Sequence, residues 1–227
     1  MSYPQNPDTI VIKNEYYPKG LREIDIWNYY QKVKVPLLKE TLGKNLIVFF
    51  AVDINKFIVI RKTKDDGLIR LNMRDYDTIV SGRSISFHNV MNKYSSYGVV
   101  DIDTDDFKVA KELTSELYDF FENQKFVYDT KIIYTGKNSF HIRVFFPSDS
   151  YVENIKQKLF NVLNEANLQT EFTIKGKRTQ NIPNLDLQRN VYNAGFIAVN
   201  SLSVDGLKCL EIEPKKIKWF RKEQAKI

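Results

Sequence analysis

The chain has 227 residues, 43% of them hydrophobic and 27% charged, enough to bury a proper core in one large domain or two closely fused modules. One cysteine, Cys209, excludes a disulfide framework, and with only His88 and His141 beside it a four-ligand zinc site is excluded too. The net charge of +6 favours a polyanionic partner. Residues 1–7 lack the basic-then-apolar pattern of a secretory signal and no apolar run approaches membrane-spanning length, so an intracellular setting away from membranes is expected. Residues 1–13 read as a loose lead-in. Tyr16-Tyr17-Pro18-Lys19-Gly20 then turns into a first helix, with Ile26, Tyr30, Val33 and Leu37 at helical spacing and Pro36 expected to kink or end it. Strands are expected at 46–52 and 57–61, joined by the tight turn Asp53-Ile54-Asn55-Lys56. A second turn follows at Lys64-Asp65-Asp66-Gly67, and a further strand at 81–88, where Ile85 and Phe87 alternate.

The most informative stretch runs from Tyr97 to Asp106. Val99, Val100 and Ile102 are β-branched and predict a strand, with Gly98 as its turn signal. Side chains alternate along a strand, so Asp101 and Asp103 share one face and Val100 and Ile102 the other. Two carboxylates at adjacent same-face positions repel unless a cation neutralises them, and a hard divalent ion such as Mg²⁺ or Mn²⁺ prefers oxygen ligands. The plainer alternative is that Asp103 to Asp106 end the strand and cap the next helix.

That helix carries Ala110, Leu113, Leu117, Phe120 and Phe121 on one stripe. A strand at 126–134, the polar turn Thr135-Gly136-Lys137-Asn138-Ser139 and a strand from His141 to Phe146 follow. A second helix places Val152, Ile155, Leu159, Val162, Leu163 and Ala166 on its stripe. Two stretches compete for the next strand, 171–174 and 183–187. The order β-α-β-β-α-β predicts a ferredoxin-like unit, with the first strand between the third and the fourth and both helices on one face. Asp101 and Asp103 would then lie beside His141 and, if 183–187 is the fourth strand, beside Asp186.

Val99-Val100-Asp101-Ile102-Asp103, then Thr135 to His141, then Asp186 resemble the three signature motifs of the archaeo-eukaryotic primase superfamily. Those motifs are a DxD on a strand, an S-G-x-x-G-x-H turn and a third aspartate. The superfamily includes primase small catalytic subunits and the polymerase domain of bacterial ligase D. Asp186-Leu187-Gln188-Arg189-Asn190 is similar to the D-y-x-x-N of the ligase D type, and the segment from Ser201 to Leu207 to the S-L-H-x-x-x-G-L of primases. Tyr17-Pro18, Tyr29-Tyr30 and Ile85-Ser86-Phe87-His88 are weaker matches. Thr135 stands where the pattern has serine, Ser139 where it has glycine, and Ser203 where it has arginine or histidine.

The resemblance implies a primase-polymerase fold of class α/β (α+β). In it an N-terminal α/β module, 16–95, packs on an RRM-like βαββαβ catalytic module, 96–212, with a basic tail at 213–227, all within a single 1–227 catalytic domain. It implies DNA-templated nucleotidyl transfer with two Mg²⁺ or Mn²⁺ ions on Asp101, Asp103 and Asp186, and no zinc. Thr135, Gly136, Lys137, Ser139 and His141 would hold the nucleoside triphosphate, with His88, Arg178, Arg189 and Ser201 as further nucleotide contacts. Template or primer DNA and nucleoside triphosphates are the implied partners, with a primase large subunit, a helicase or a ligase beside them. A ligase D-type end-joining polymerase is the nearest alternative, and a degenerate family member another. A non-catalytic RNA-recognition module would want exposed aromatics where the first strand has aspartates, and a nuclease would have no use for the 135–141 turn. Of Trp219 and Phe220, in the lysine-rich run 215–222, a terminal helix that packs both inward is expected, with base stacking as the alternative.

Overall fold

The computed structural model describes residues 4, 6–63, 67–166, 184–187 and 189–227, with Asp103 and Asn184 described for their backbone alone. The expected strand at 171–174, the basic run 175–178 with Arg178, and most of the turn 64–67 lie outside the described residues. In chain order the elements begin with β1 (Ile10–Ile12), β2 (Leu21–Arg22), α1 (Glu23–Lys32), α2 (Lys34–Thr41), β3 (Leu46–Asp53) and β4 (Lys56–Ile60). There follow α3 (Tyr76–Ile79), β5 (Ser84–Val90), β6 (Tyr94–Asp103), α4 (Phe107–Glu122), β7 (Asp129–Tyr134) and β8 (Phe140–Tyr151). The chain closes with α5 (Val152–Glu165), β9 (Asn184–Asp186), β10 (Gly195–Ile197), β11 (Leu210–Ile212) and two 3₁₀ turns, Pro214–Trp219 and Lys222–Ala225.

Two compact units form. The first draws on the described residues of 1–90, 195–210 and 221–227, the second on those of 91–194 and 211–220. The chain leaves the first unit at residue 90, and residues 195–210 return to it. The reason is sheet pairing and core burial. β10 adds to the edge strand β5, with Ile197 opposite His88, and Ala198 and Leu202 join the first unit's core. Tyr29 and Tyr30 tie the returning segment to α1: the Tyr29 hydroxyl donates to Asn200 O (3.0 Å), and the Tyr30 oxygen accepts from Leu202 N–H (3.0 Å).

The first unit's sheet has the order β10-β5-β3-β4. Its core gathers Ile26, Tyr30, Leu37, Tyr76, Ile85 and Phe87. The single expected helix is two, broken at Val33 rather than at Pro36. Pro36 lies in the first turn of α2, where a backbone N–H has no intrahelical partner and its loss costs nothing.

In the second unit the sheet order is β11-β7-β8-β6-β9, with β6 antiparallel to both β8 and β9. The first strand of the β-α-β-β-α-β run therefore lies between the third and the fourth, as the ferredoxin-like reading requires. α4 presents Ala110, Thr114, Leu117 and Phe121, and α5 presents Val152, Ile155, Leu159 and Leu163, all at 0–2% exposure, a spacing of three and four that makes one helical face. Thr114 takes the buried place expected of Leu113, and it does so by donating its hydroxyl to Ala110 O (2.6 Å). The sheet meets these helices with Val100, Ile102, Ile132, Tyr134, Phe140, Ile142 and Val144, all buried.

No terminal α-helix forms. The 3₁₀ turn at Pro214–Trp219 ends with Phe220 buried at 6% exposure and Trp219 exposed at 71%. Among the described residues no helix is long and apolar enough to cross a membrane.

Candidate active site

The site is built on β6, and Gly98 decides which way that strand faces. A Cβ there would come within 2.6 Å of Ile155 and 2.7 Å of Leu159, so the bare glycine lets α5 lie directly on the strand. Val100 and Ile102, two and four residues on, share that covered face and are fully buried. Strand alternation then puts Val99 and Asp101 on the other face, with the Asp103 backbone at the next position of the same parity.

Cross-strand register fixes Asp101's neighbours. On β8 its partner is His141 and on β9 it is Asp186, while Asp103 pairs with Asn184. Directly opposed residues on antiparallel strands hold their Cβ atoms ~4.5–5.5 Å apart, so Asp101 has a histidine on one side and a carboxylate on the other. His141 Nε2 lies 3.6 Å from Asp101 Oδ1, with side-chain exposures of 5% and 13%. The plainer capping alternative belongs to a different residue of the acidic run. Asp106 Oδ1 accepts from the N–H groups of Lys108 (2.8 Å) and Val109 (3.2 Å) and caps α4.

β9 is only three residues long, and Asn190 extends its hold on β6. The side chain is fully buried: Oδ1 accepts from Val99 N–H (2.7 Å) and Nδ2 donates to Val99 O (2.6 Å) and Leu187 O (3.1 Å). It imitates one more rung of β-ladder where the strand has ended, and so locks Asp186 into register with Asp101. In sequence Asn190 is visible only as the last letter of the D-y-x-x-N pattern. Arg143 is the other residue not singled out from sequence. It lies two residues after His141 on the same face, opposite Val99 and Lys131, and is 4% exposed, with its guanidinium carbon 6.0 Å from the Tyr97 ring centre. The alternation His141-Ile142-Arg143 was its signal.

The turn between β7 and β8 lies at the Asp103 end of β6, since Phe140 pairs with Ile102. Gly136 holds φ at +86°, a conformation that suits glycine. Thr135 N–H and Thr135 Oγ1 both donate to Ser139 O (3.2 and 2.9 Å), and the two hydroxyls lie 2.8 Å apart. Tyr134 donates its hydroxyl to Lys137 O (2.7 Å), which leaves the Lys137 side chain at the exposed tip. The hydroxyls of Thr135 and Ser139 therefore brace the turn, and Lys137 stands exposed at its tip.

Arg189 is exposed in the turn after β9. His88 and Ser201 belong to the first unit. His88 Nε2 lies 2.9 Å from Ser86 Oγ and its ring 4.8 Å from that of Phe49. Ser201 is fully buried, its oxygen accepting from Phe87 N–H (2.7 Å), a bond that fastens the returning segment to β5. Ser203 likewise serves a turn, its oxygen accepting from Asp205 N–H (3.2 Å).

For metal, the donor chemistry fits a hard divalent cation: Asp101 and Asp186 bring carboxylates to one row of the sheet. Among the described residues no group of three His, Cys, Asp or Glu is arranged to hold an ion, and the third carboxylate would come from Asp103, whose side chain lies outside the description.

No protein-family model matches the chain, and no curated protein matches it. In fold it is similar to the polymerase domain of Mycobacterium tuberculosis ligase D in complex with DNA, with a TM-score of 0.77 at 12% identity. That similarity covers 99% of this chain and 93% of the other.

Proposed function

We propose that the protein is a template-directed nucleotidyltransferase, a polymerase of the primase type that adds nucleotides to a 3′-hydroxyl on a DNA template with Mg²⁺ or Mn²⁺. The observation that carries this reading is Asp101 held in one cross-strand row between His141 and Asp186, beside the 135–139 turn. The fold is similar to that of a polymerase domain described in complex with DNA, which supports the same class of reaction.

In this reading Asp101, Asp103 and Asp186 bind the metal ions. Divalent ions held there would supply activation of the attacking 3′-hydroxyl and neutralisation of charge on the leaving pyrophosphate. The 3′-oxygen forms its bond to the α-phosphorus as the α–β phosphoanhydride breaks, and the hydroxyl proton passes to solvent. Lys137 and the backbone of the turn hold the triphosphate, and His141 donates a hydrogen bond to a phosphate oxygen. Asn190 keeps Asp186 in register throughout.

Extension of a labelled primer on a DNA template, with each nucleotide set and each metal, tests this. Wild-type protein should extend, and Asp101→Asn and Asp186→Asn should fall to background while keeping the wild-type melting transition. Mn²⁺ binding followed by electron paramagnetic resonance should weaken in the same variants. Full activity in Asp101→Asn would end the assignment. A gap-filling repair role is favoured over primer synthesis by the fold similarity to a ligase D domain. Faster synthesis on a gapped duplex than on an unprimed single strand is its expected signature.

A further inference from the structure

Trp219 and Phe220 are neighbours with opposite surroundings. Phe220 packs its ring edge-on against Tyr134 at 4.8 Å and lies 6.2 Å from Phe107 and from Phe140, whereas Trp219 is 71% exposed. The backbone that carries the indole is tied down on both sides. Lys111 of α4 donates from Nζ to the carbonyls of Lys218 (3.3 Å) and Phe220 (3.4 Å), which flank Trp219. Ile217, two residues earlier, is buried at 2% exposure. A large apolar ring is thus displayed to water on a fixed frame, and it forgoes the burial its size would reward.

The charge beside it is mainly positive, with Glu213 the one acid at the start of the turn. Lys218 Nζ lies 5.2 Å from the Trp219 ring centre, and Lys215 and Lys216 are exposed on the same turn. Lys216 does reach Glu213 (2.8 Å), but both groups are about two-thirds exposed, and such pairs contribute little.

We infer that Trp219 and the lysines beside it form a stacking site for single-stranded DNA, in which a base lies on the indole and the lysines meet the flanking phosphates. The ligand class rests on the template-directed reading of the candidate active site. Stacking tolerates any base because every base has a π-face, and lysines supply the sequence-independent attraction. Phe220 links the site to the nucleotide turn: it packs on Tyr134, whose hydroxyl holds the Lys137 carbonyl. The fixed backbone matters here, since an aromatic already ordered loses little entropy on binding.

The experiment is a titration of the whole protein with a 12-nucleotide oligo(dT), read by tryptophan fluorescence. The chain has two tryptophans, so a Trp27→Phe variant isolates Trp219, and its emission should be quenched on binding. By anisotropy of a labelled oligo(dT), Trp219→Phe should bind nearly as the wild type does. Trp219→Ala should weaken binding by roughly 5- to 150-fold, the range one stacked base provides. Lys215→Ala and Lys218→Ala should each reduce the slope of log affinity against log salt by about 0.7. Asp101→Asn should bind oligo(dT) as well as the wild type, so a failed extension assay would leave this outcome readable by itself. Unchanged affinity in Trp219→Ala overturns the inference, and so does a glutamate 12-mer that displaces oligo(dT) as effectively as unlabelled oligo(dT) does.

Discussion

At the scale of single residues, the acidic run 101–106 divides its labour. Asp106 is a helix cap and Asp101 a member of the cross-strand row, and the two separate by mutation. Asp106→Ala should lower stability by about 1 kcal/mol in urea unfolding, the usual cost of losing such a cap, and leave Mn²⁺ affinity unchanged. A loss of Mn²⁺ binding in that variant would mean that the run acts as one acidic cluster. Asn190 is the second case. Truncation to alanine strands the buried N–H and C=O of Val99, each worth roughly 1–3 kcal/mol when left unsatisfied. Asn190→Asp should be no better, since it faces two carbonyls with a carboxylate. Urea midpoints near wild type for both variants would show that β9 holds its register without help. His141 provides a functional contrast. Losing one hydrogen bond to a charged group should cut kcat/KM for the nucleotide by roughly tenfold to a hundredfold. Template affinity should change much less. A lower melting temperature with unaltered nucleotide kinetics would instead mark His141 as a core histidine.

At the scale of elements, β6 carries two opposed demands. One face must take α5 closely and the other must present carboxylates. Gly98 meets the first, because any side chain there would collide with Ile155 and Leu159 and crowd Asn190 Oδ1 at 3.3 Å. Gly98→Ala should therefore destabilise the protein by about 1–3 kcal/mol, as overpacking does, and thermal unfolding measures it. Stability equal to wild type would indicate that α5 can shift outward at little cost. The β7–β8 turn shows a different economy. Thr135 and Ser139 are the two places where it departs from the primase-type pattern, and their hydroxyls meet each other at 2.8 Å. Two substitutions that look separate in sequence form one brace across the turn.

At the scale of the whole molecule, 34 lysines and arginines against 28 acids suit a polyanionic partner. Log affinity for duplex DNA should fall linearly with log salt, with a slope of roughly −0.9 for each phosphate neutralised. The slope should be the same in Asp101→Asn, because the lysines at Trp219 lie outside the carboxylate row. Affinity that ignores salt would remove the polyanion from the account. The fold similarity runs over 99% of the chain at 12% identity, so most of the matched positions differ. What such a fold needs is the alternation and spacing of apolar positions, and many sequences supply that.

The sequence by itself determined whatever has a local cause. Alternation along β6 put Asp101 opposite in facing to Val100 and Ile102, helical spacing placed most of the buried stripes of α4 and α5, and the order β-α-β-β-α-β put the first strand between the third and the fourth. Tertiary structure alone decided what depends on distant segments. Two stretches competed for the fourth strand, and pairing of Asp101 with Asp186 chose 184–186. Residues 195–210 pair with the edge of β5 and place Ala198 and Leu202 in the first unit's core. Ser201 and Ser203 went to bracing that segment, and Asn190 to extending a ladder 91 residues away. Phe220 packs against Tyr134, Phe107 and Phe140 while Trp219 stays exposed, and Lys111 donates to the carbonyls on either side of Trp219. Periodicity is written residue by residue, whereas register, partner choice and the direction of a lone side chain depend on what the rest of the chain brings alongside.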